Sequence, residues 1–294
     1  MIKEPVWQAP DVAGYLFFGG LAGASSVLAA SSRLSGHREL ARVAKVGALG
    51  AISLSAAALV HDLGRPARFT SMLRVFKPSS PMSVGSWLLA GYGPVAGAAA
   101  VSEVTGILPA AGTAATLGAG LLGPAVATYT AALICDTAVP AWHAGYREMP
   151  YVFAGSAASA AGGLGLLATP PGAAEPARRL AVLGAGVELV AKRQLIKRLA
   201  NPGPVSLSEP YETGRPGAVL RVGEALTACG LAGALLGRRS RALSALSGAA
   251  LLAASALTRF GIFEAGMASA RDPKYTIVPQ RQPGPQPSPQ DGRL

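Results

Sequence analysis

The residues best suited to chemistry in this chain lie between His61 and Trp87. The stretch reads His61-Asp62-Leu63-Gly64-Arg65-Pro66, continues through Arg68-Phe69, and ends on Ser80-Pro81-Met82-Ser83 with Gly85 and Trp87. It joins two long apolar runs, and ionisable groups at such a junction are costly unless they are paired or functional. A neutral imidazole accepts a proton near physiological pH, and an adjacent carboxylate orients it or takes the proton onward. His61 and Asp62 offer that pair; alternatively Asp62 caps a helix or pairs with Arg65 or Arg68. Asp136, at the end of another apolar run and before Thr137, offers a second carboxylate or a lone polar cap. Arg259 lies inside the last apolar run and needs a partner, which Glu188 or Glu224 supplies either as a proton path or as a structural ion pair.

The elements that must position these groups are membrane spans. Of 294 residues, 50% are hydrophobic and only 14% charged, where a soluble domain carries roughly a quarter charged. The apolar residues form runs of the length that crosses a hydrocarbon core of roughly 30 Å as helix. Eight such runs are expected, near 12–32, 46–60, 82–101, 114–134, 151–168, 177–195, 219–236 and 242–263. The sixth is the weakest, because Glu188 lies within it and Lys192-Arg193 follow. A cleaved leader ending near Ala29-Ala30-Ser31 is the alternative for the first run, disfavoured because the residues before it are nearly neutral and the run is long. Residues 200–217 read as an extended surface loop, and the Pro/Gln/Gly-rich end as disordered. An even number of spans puts both termini on one side. Lys and Arg are more numerous on that side, which leans towards cytoplasmic termini and leaves sidedness open.

The net charge of +11 resides in connections and tail with no interleaved aromatics. That excludes nucleic acid, which needs a stacking surface, and points to anionic lipid headgroups or an acidic partner. Cys135 and Cys229 are far apart and each lies in an apolar run, so no cluster or zinc ligand set exists. His37 and His143 belong to loops and only His61 abuts a span, which excludes haem held by two spans. The expectation is no haem, no iron–sulfur cluster and no metal in this chain.

At His61-Asp62-Leu63-Gly64-Arg65-Pro66 with Arg68-Phe69, and at Ser80-Pro81-Met82-Ser83 with Gly85 and Trp87, the sequence resembles the polysulfide reductase NrfD family. Further matching patches are Tyr129-Thr130 before Asp136, Ala138-Val139-Pro140 with Trp142, Arg259-Phe260 with Glu264-Ala265-Gly266, and Ser269 to Tyr275. The resemblance implies an all-α, polytopic integral membrane protein with eight transmembrane helices in two four-helix bundles. It divides the chain into a lead (1–11), a first bundle carrying the quinone-site motifs (12–136), a connecting loop (137–150), a second bundle (151–266) and a tail (267–294). It also implies a quinone-reactive anchor without its own redox cofactor, placed in the plasma membrane. Such an anchor exchanges electrons between a quinone pool, menaquinone for preference, and a ferredoxin-like iron–sulfur subunit serving a molybdopterin-type catalytic subunit. That partner docks on the face of the termini.

Quinol oxidation releases two protons, so each quinol oxygen needs an acceptor and a way to water. On this reading His61, Asp62 and Asp136 are the catalytic acid–base groups, with Tyr15, Arg65, Trp87 and Tyr129 around the headgroup. Each has a plainer alternative: Arg65 holds a carboxylate or lipid phosphate, Tyr129 bonds within its bundle, and Trp87 anchors at the interface. The competing function classes are a secondary transporter and a purely structural anchor. Transporters break helices near mid-membrane, whereas the polar motifs here sit at span ends.

Overall fold

The computed structural model describes residues 7–64, 71–200 and 205–280. Eight helices of twenty residues or more dominate it: α1 (Ala9–Leu34), α2 (Arg38–Leu63), α3 (Pro81–Thr105), α4 (Pro109–Cys135), then, after the short α5 (Pro140–Ala144), α6 (Met149–Ala168) and α7 (Glu175–Leu199). After the single turn α8 (Glu209–Glu212) come α9 (Gly214–Leu236), α10 (Arg241–Arg271) and the short α11 (Lys274–Gln280). No strand occurs among the described residues. Prolines open many of these helices, among them Pro10, Pro81, Pro109 and Pro150. There a fixed φ suits the first turn and the missing N–H costs nothing.

Seven helices are long and apolar enough to cross a bilayer. The exception, α7, has 25 residues, about 37 Å at 1.5 Å per residue, which is the length of a crossing. Three of its charges are turned into the protein, Arg178, Glu188 and Lys192 being 2%, 1% and 8% exposed, and the exposed ones, Arg179, Arg193 and Lys197, lie towards its two ends. We therefore read it as the eighth crossing, and the chain is a multi-pass membrane protein.

The helix ends differ from the expected spans where tertiary pairing takes up charge. Helix α2 begins eight residues earlier than the apolar run because Lys45 is buried and paired with Glu103 of α3 at 2.6 Å. Helix α10 continues to Arg271, eight residues past the expected end. The presumed loop at 200–217 is partly folded: Tyr211 of α8 is buried and donates to the Ala141 carbonyl at 2.9 Å, and α9 already begins at Gly214. The Pro/Gln/Gly-rich end from 281 onward, and Arg65, Pro66, Arg68 and Phe69, lie outside the described residues.

Two four-membered rings of helices result. Helices α1, α2, α3 and α4 pack in a closed cycle, as do α6, α7, α9 and α10; α1 lies against α6 and α10, and α4 against α6. Small residues make the closest crossings, as expected where lipid gives no hydrophobic drive between helices. A Cβ on Gly23 of α1 would strike the Gly123 carbonyl of α4, and one on Gly155 of α6 would come 2.5 Å from the Glu188 amide of α7. The face that carries the start of α1 also carries residues 61–64, 71–81, 136–150, 205–214 and the ends of α7 and α10; we call it the proximal face. There Trp142 of α5 is fully buried, donates from Nε1 to the Ile262 carbonyl at 2.8 Å, and packs against Trp7 and Phe263, so one side chain joins the two rings.

Candidate functional site

Near the proximal face the first ring leaves a cavity of about 130 Å³ between α1, α2, α3 and α4. Its polar groups are Tyr15, Asp62, Ser86 and Tyr129, and its apolar walls include Trp7, Leu59, Met82 and Leu89. The Tyr15 and Tyr129 hydroxyls are hydrogen-bonded to each other, with the rings edge-on and their centroids 6.4 Å apart.

The motifs explain themselves locally. Gly64 takes a left-handed φ of 68° and caps α2 by donating to the His61 carbonyl, a turn that suits glycine. Ser80 caps α3 by accepting from the Ser83 amide, and Pro81 follows in the first turn. Ser83 donates to the Val75 carbonyl and accepts from the Lys77 amide, both at 3.0 Å, fastening the preceding segment. Gly85 lies flat against the Tyr129 ring. Ser80, Pro81, Ser83 and Gly85 are therefore positioning residues.

His61 and Asp62 point different ways, as neighbours on a helix do. Asp62 is half-buried and lines the cavity. His61 has a 77% exposed side chain and is 2.9 Å from the Asp11 carboxylate of α1. Asp11 is only 16% exposed and interacts electrostatically with Asp62. The order from cavity to water is thus Asp62, Asp11, His61. Sequence reasoning missed Asp11, although an acidic residue in the first turn of a span, at the depth of His61, was a readable signal.

Asp136 caps α4 and is exposed. It borders a second, open cavity of about 580 Å³ together with Tyr129, Cys135, His143 and Tyr146. Tyr129 lines both cavities. His143 lies 3.1 Å from the Cys135 carbonyl through Nδ1. Since a carbonyl only accepts, Nδ1 carries the proton and Nε2 is left as an acceptor when the ring is neutral. Trp87 is 44% exposed, meets Phe76 edge-on, and lies outside both cavities. Arg65 falls outside the described residues.

The buried charges of the second ring form a separate group. Glu188 accepts from Thr258 at 2.7 Å and from Ser159 at 3.4 Å. Arg259, fully buried, donates to the Phe153 carbonyl at 2.8 Å and stacks 3.7 Å over the Phe153 ring. Its Nε and Nη1 have no hydrogen-bond partner among the described residues. Glu224 pairs with Lys192, at 3.6 Å, and Lys192 also donates to the Leu220 carbonyl. On the proximal surface Lys274 of α11 clasps Glu209 of α8 at 2.9 Å; its hydrogen bond, then one from Tyr275, holds the Glu209 carboxyl below the usual range. Among the described residues no three His, Cys, Asp or Glu side chains group as a metal site.

Eight long helices in two rings, with a half-polar cavity near one end of the first, define a polytopic membrane protein. The chain belongs to the NrfD family, whose model, described as polysulphide reductase, matches residues 1–169. That match covers α1 to α6 and therefore the whole cavity. No curated protein matches the chain.

Proposed function

We propose that the chain is the quinone-reactive membrane subunit of a respiratory oxidoreductase in the plasma membrane. The observation that carries this is the proximal cavity, which combines a volume for one ring, two phenolic hydroxyls and a carboxylate. A pocket of about 150 Å³ accommodates a benzene ring, and the cavity measures about 130 Å³. Menaquinone, with its larger bicyclic headgroup, would use part of the opening as well.

In the oxidising direction both quinol O–H bonds break, two protons leave, and two electrons pass to an iron–sulfur partner at the proximal face. Asp62 takes a proton from one quinol oxygen and hands it through Asp11 to His61 and water. The Tyr15–Tyr129 pair bonds the other oxygen, and Tyr129 leads to the cavity of Asp136 and His143. In the reducing direction the same groups supply protons. The partner docks proximally because electron transfer needs its last cluster near the headgroup; a molybdopterin-type subunit binds behind it, and the basic surface around both suits anionic lipid.

The test is quinol-linked activity of assembled complexes, normalised to activity with a dye that bypasses this subunit. Asp62→Asn should lower quinol turnover by roughly 10²-fold or more, the scale of a positioned acid–base group. His61→Ala should cost less, because water replaces a side chain that is 77% exposed. Near-wild-type turnover in assembled Asp62→Asn complexes would refute the site.

A further inference from the structure

A headgroup cavity opening only towards water would suit no membrane quinone, whose isoprenoid chain must remain in hydrocarbon. Helices α2 and α3 are the outward members of the first ring: 33% of the apolar stretch of each is buried, against 78% for α1. Their seam holds an apolar groove of about 480 Å³ on the bilayer side. One wall is the α2 row Leu49, Ile52, Ala56 and Leu59, spaced as one face of a helix, and the other is Leu89 and Gly93 of α3. Leu59 and Leu89 also line the headgroup cavity. The two spaces therefore share a threshold made of one leucine from each helix.

From Leu59 to Leu49 the groove runs about 15 Å along α2, from the depth of the cavity towards mid-membrane. Its width comes from small side chains at Ala56, Ala90 and Gly93. A side chain at Gly93 would meet no atom within 4 Å, so the glycine is not required by helix packing. Pro94 keeps the seam open further: it cannot donate to the Ala90 carbonyl, so that turn of α3 is released on the groove side.

We infer that this seam is the binding groove for the isoprenoid tail of the quinone, with Leu59 and Leu89 as the threshold between tail and headgroup. The inference rests on the quinone reading above and commits to that one occupant. A phospholipid acyl chain would fit the apolar lining but has no ring to fill the cavity into which the groove continues past Leu59 and Leu89, whereas a quinone is a ring and a tail joined in that order. Lipid gives no hydrophobic drive for leaving hydrocarbon, so the tail contributes binding through its packing against the ordered groove walls. The same ring could then be held with different affinity according to tail length.

The test uses assembled complexes in nanodiscs with two quinols of the same headgroup, one long-tailed and one with a tail of a single short unit. Gly93→Leu and, from the opposite wall, Ala56→Leu fill the groove without touching the cavity. Each should lower the ratio of kcat/KM for the long-tailed to the short-tailed quinol by about tenfold, because the new side chain displaces tail atoms from their packing contacts with the groove wall. A long-tailed quinone carrying a diazirine in its tail should label the peptides spanning 49–60 and 89–94, and unlabelled long-tailed quinone should compete. If wild type turns over both quinols but neither variant shifts the ratio, the groove is refuted and the quinone reading stands. Labelling by a diazirine phospholipid that long-tailed quinone does not displace also refutes it, giving the seam to lipid. If wild type turns over neither quinol, the functional reading fails and the groove with it.

Discussion

At Gly85 a single methyl group decides where the Tyr129 hydroxyl lies. A Cβ there would come 2.5 Å from Cε2 of the Tyr129 ring, so the ring must leave the position from which its hydroxyl meets Tyr15. Gly85→Ala should therefore slow quinol turnover about as much as Tyr129→Phe, roughly tenfold or more for a lost positioned hydroxyl. In a Tyr129→Ala background Gly85→Ala should add nothing. Turnover of the four complexes, with the dye assay as control for assembly, checks this; an effect of Gly85→Ala that persists without the Tyr129 ring would show that it acts elsewhere. The sequence singled out Asp62, Tyr15 and Tyr129, and the fold brings these three to one cavity. Which of His61 and Asp62 faces the cavity was not legible, because successive helical residues diverge by about 100°. Only the position of Asp11, fifty residues earlier and on another helix, assigns His61 to water. His143 was passed over as a loop residue because its bond to the Cys135 carbonyl depends on how α5 folds back under α4.

Elements meet at their smallest residues, and the α1–α4 crossing is where that packing bears on the site. A Cβ on Gly123 would strike the Gly23 carbonyl and come 2.9 Å from Val27, both on α1. Tyr15 and Tyr129 project from the same two helices, one or two turns nearer the proximal face. Gly123→Ala should destabilise the subunit by about 1–3 kcal/mol through overpacking and also separate the tyrosine pair. Gly50→Ala on α2, where a Cβ meets nothing within 4 Å, should be neutral or stabilise by about 0.5–1 kcal/mol, as glycine-to-alanine does inside a helix. Thermal midpoints of the purified complex in one detergent would test the contrast in sign; equal shifts would mean that helix propensity, not the crossing, governs both. All eight helices could be read from the apolar runs, since a length of about twenty residues is imposed by the bilayer and not by partners. Their ends could not, because Lys45 and the charges of α7 look like span boundaries until Glu103, Thr258 and Ser159 are seen to receive them.

On the scale of the molecule, Arg259 occupies the junction of the two rings. It extends from α10, stacks on Phe153 of α6, and lies where a Cβ on Gly20 of α1 would come 3.2 Å from its Nη2. The sequence required a partner for it and offered Glu188 or Glu224. Glu224 is engaged by Lys192, while Glu188 interacts with Arg259 electrostatically and is bonded directly to Thr258 and Ser159. No Arg259–carboxylate pair lies within 4 Å among the described residues, so the two charges compensate each other through the field they share. In a low-dielectric interior that is still strong, and removing one charge leaves the other uncompensated, at a cost of about 3–5 kcal/mol for a buried pair. We propose a structural role for the pair, tying α7 and α10 to the first ring. Arg259→Leu should then lower the thermal midpoint sharply, whereas Glu188→Gln keeps partners for both hydroxyls and should cost less. The double variant should be more stable than the sum of the two losses predicts, by about 1–3 kcal/mol, as for residues in one network. Thermal unfolding of the four complexes measures that coupling. Quinol turnover per assembled complex and proton release per quinol should stay close to wild type in Glu188→Gln. Additive losses would dissolve the pair, and a changed proton yield in Glu188→Gln would turn the junction from a brace into a proton path.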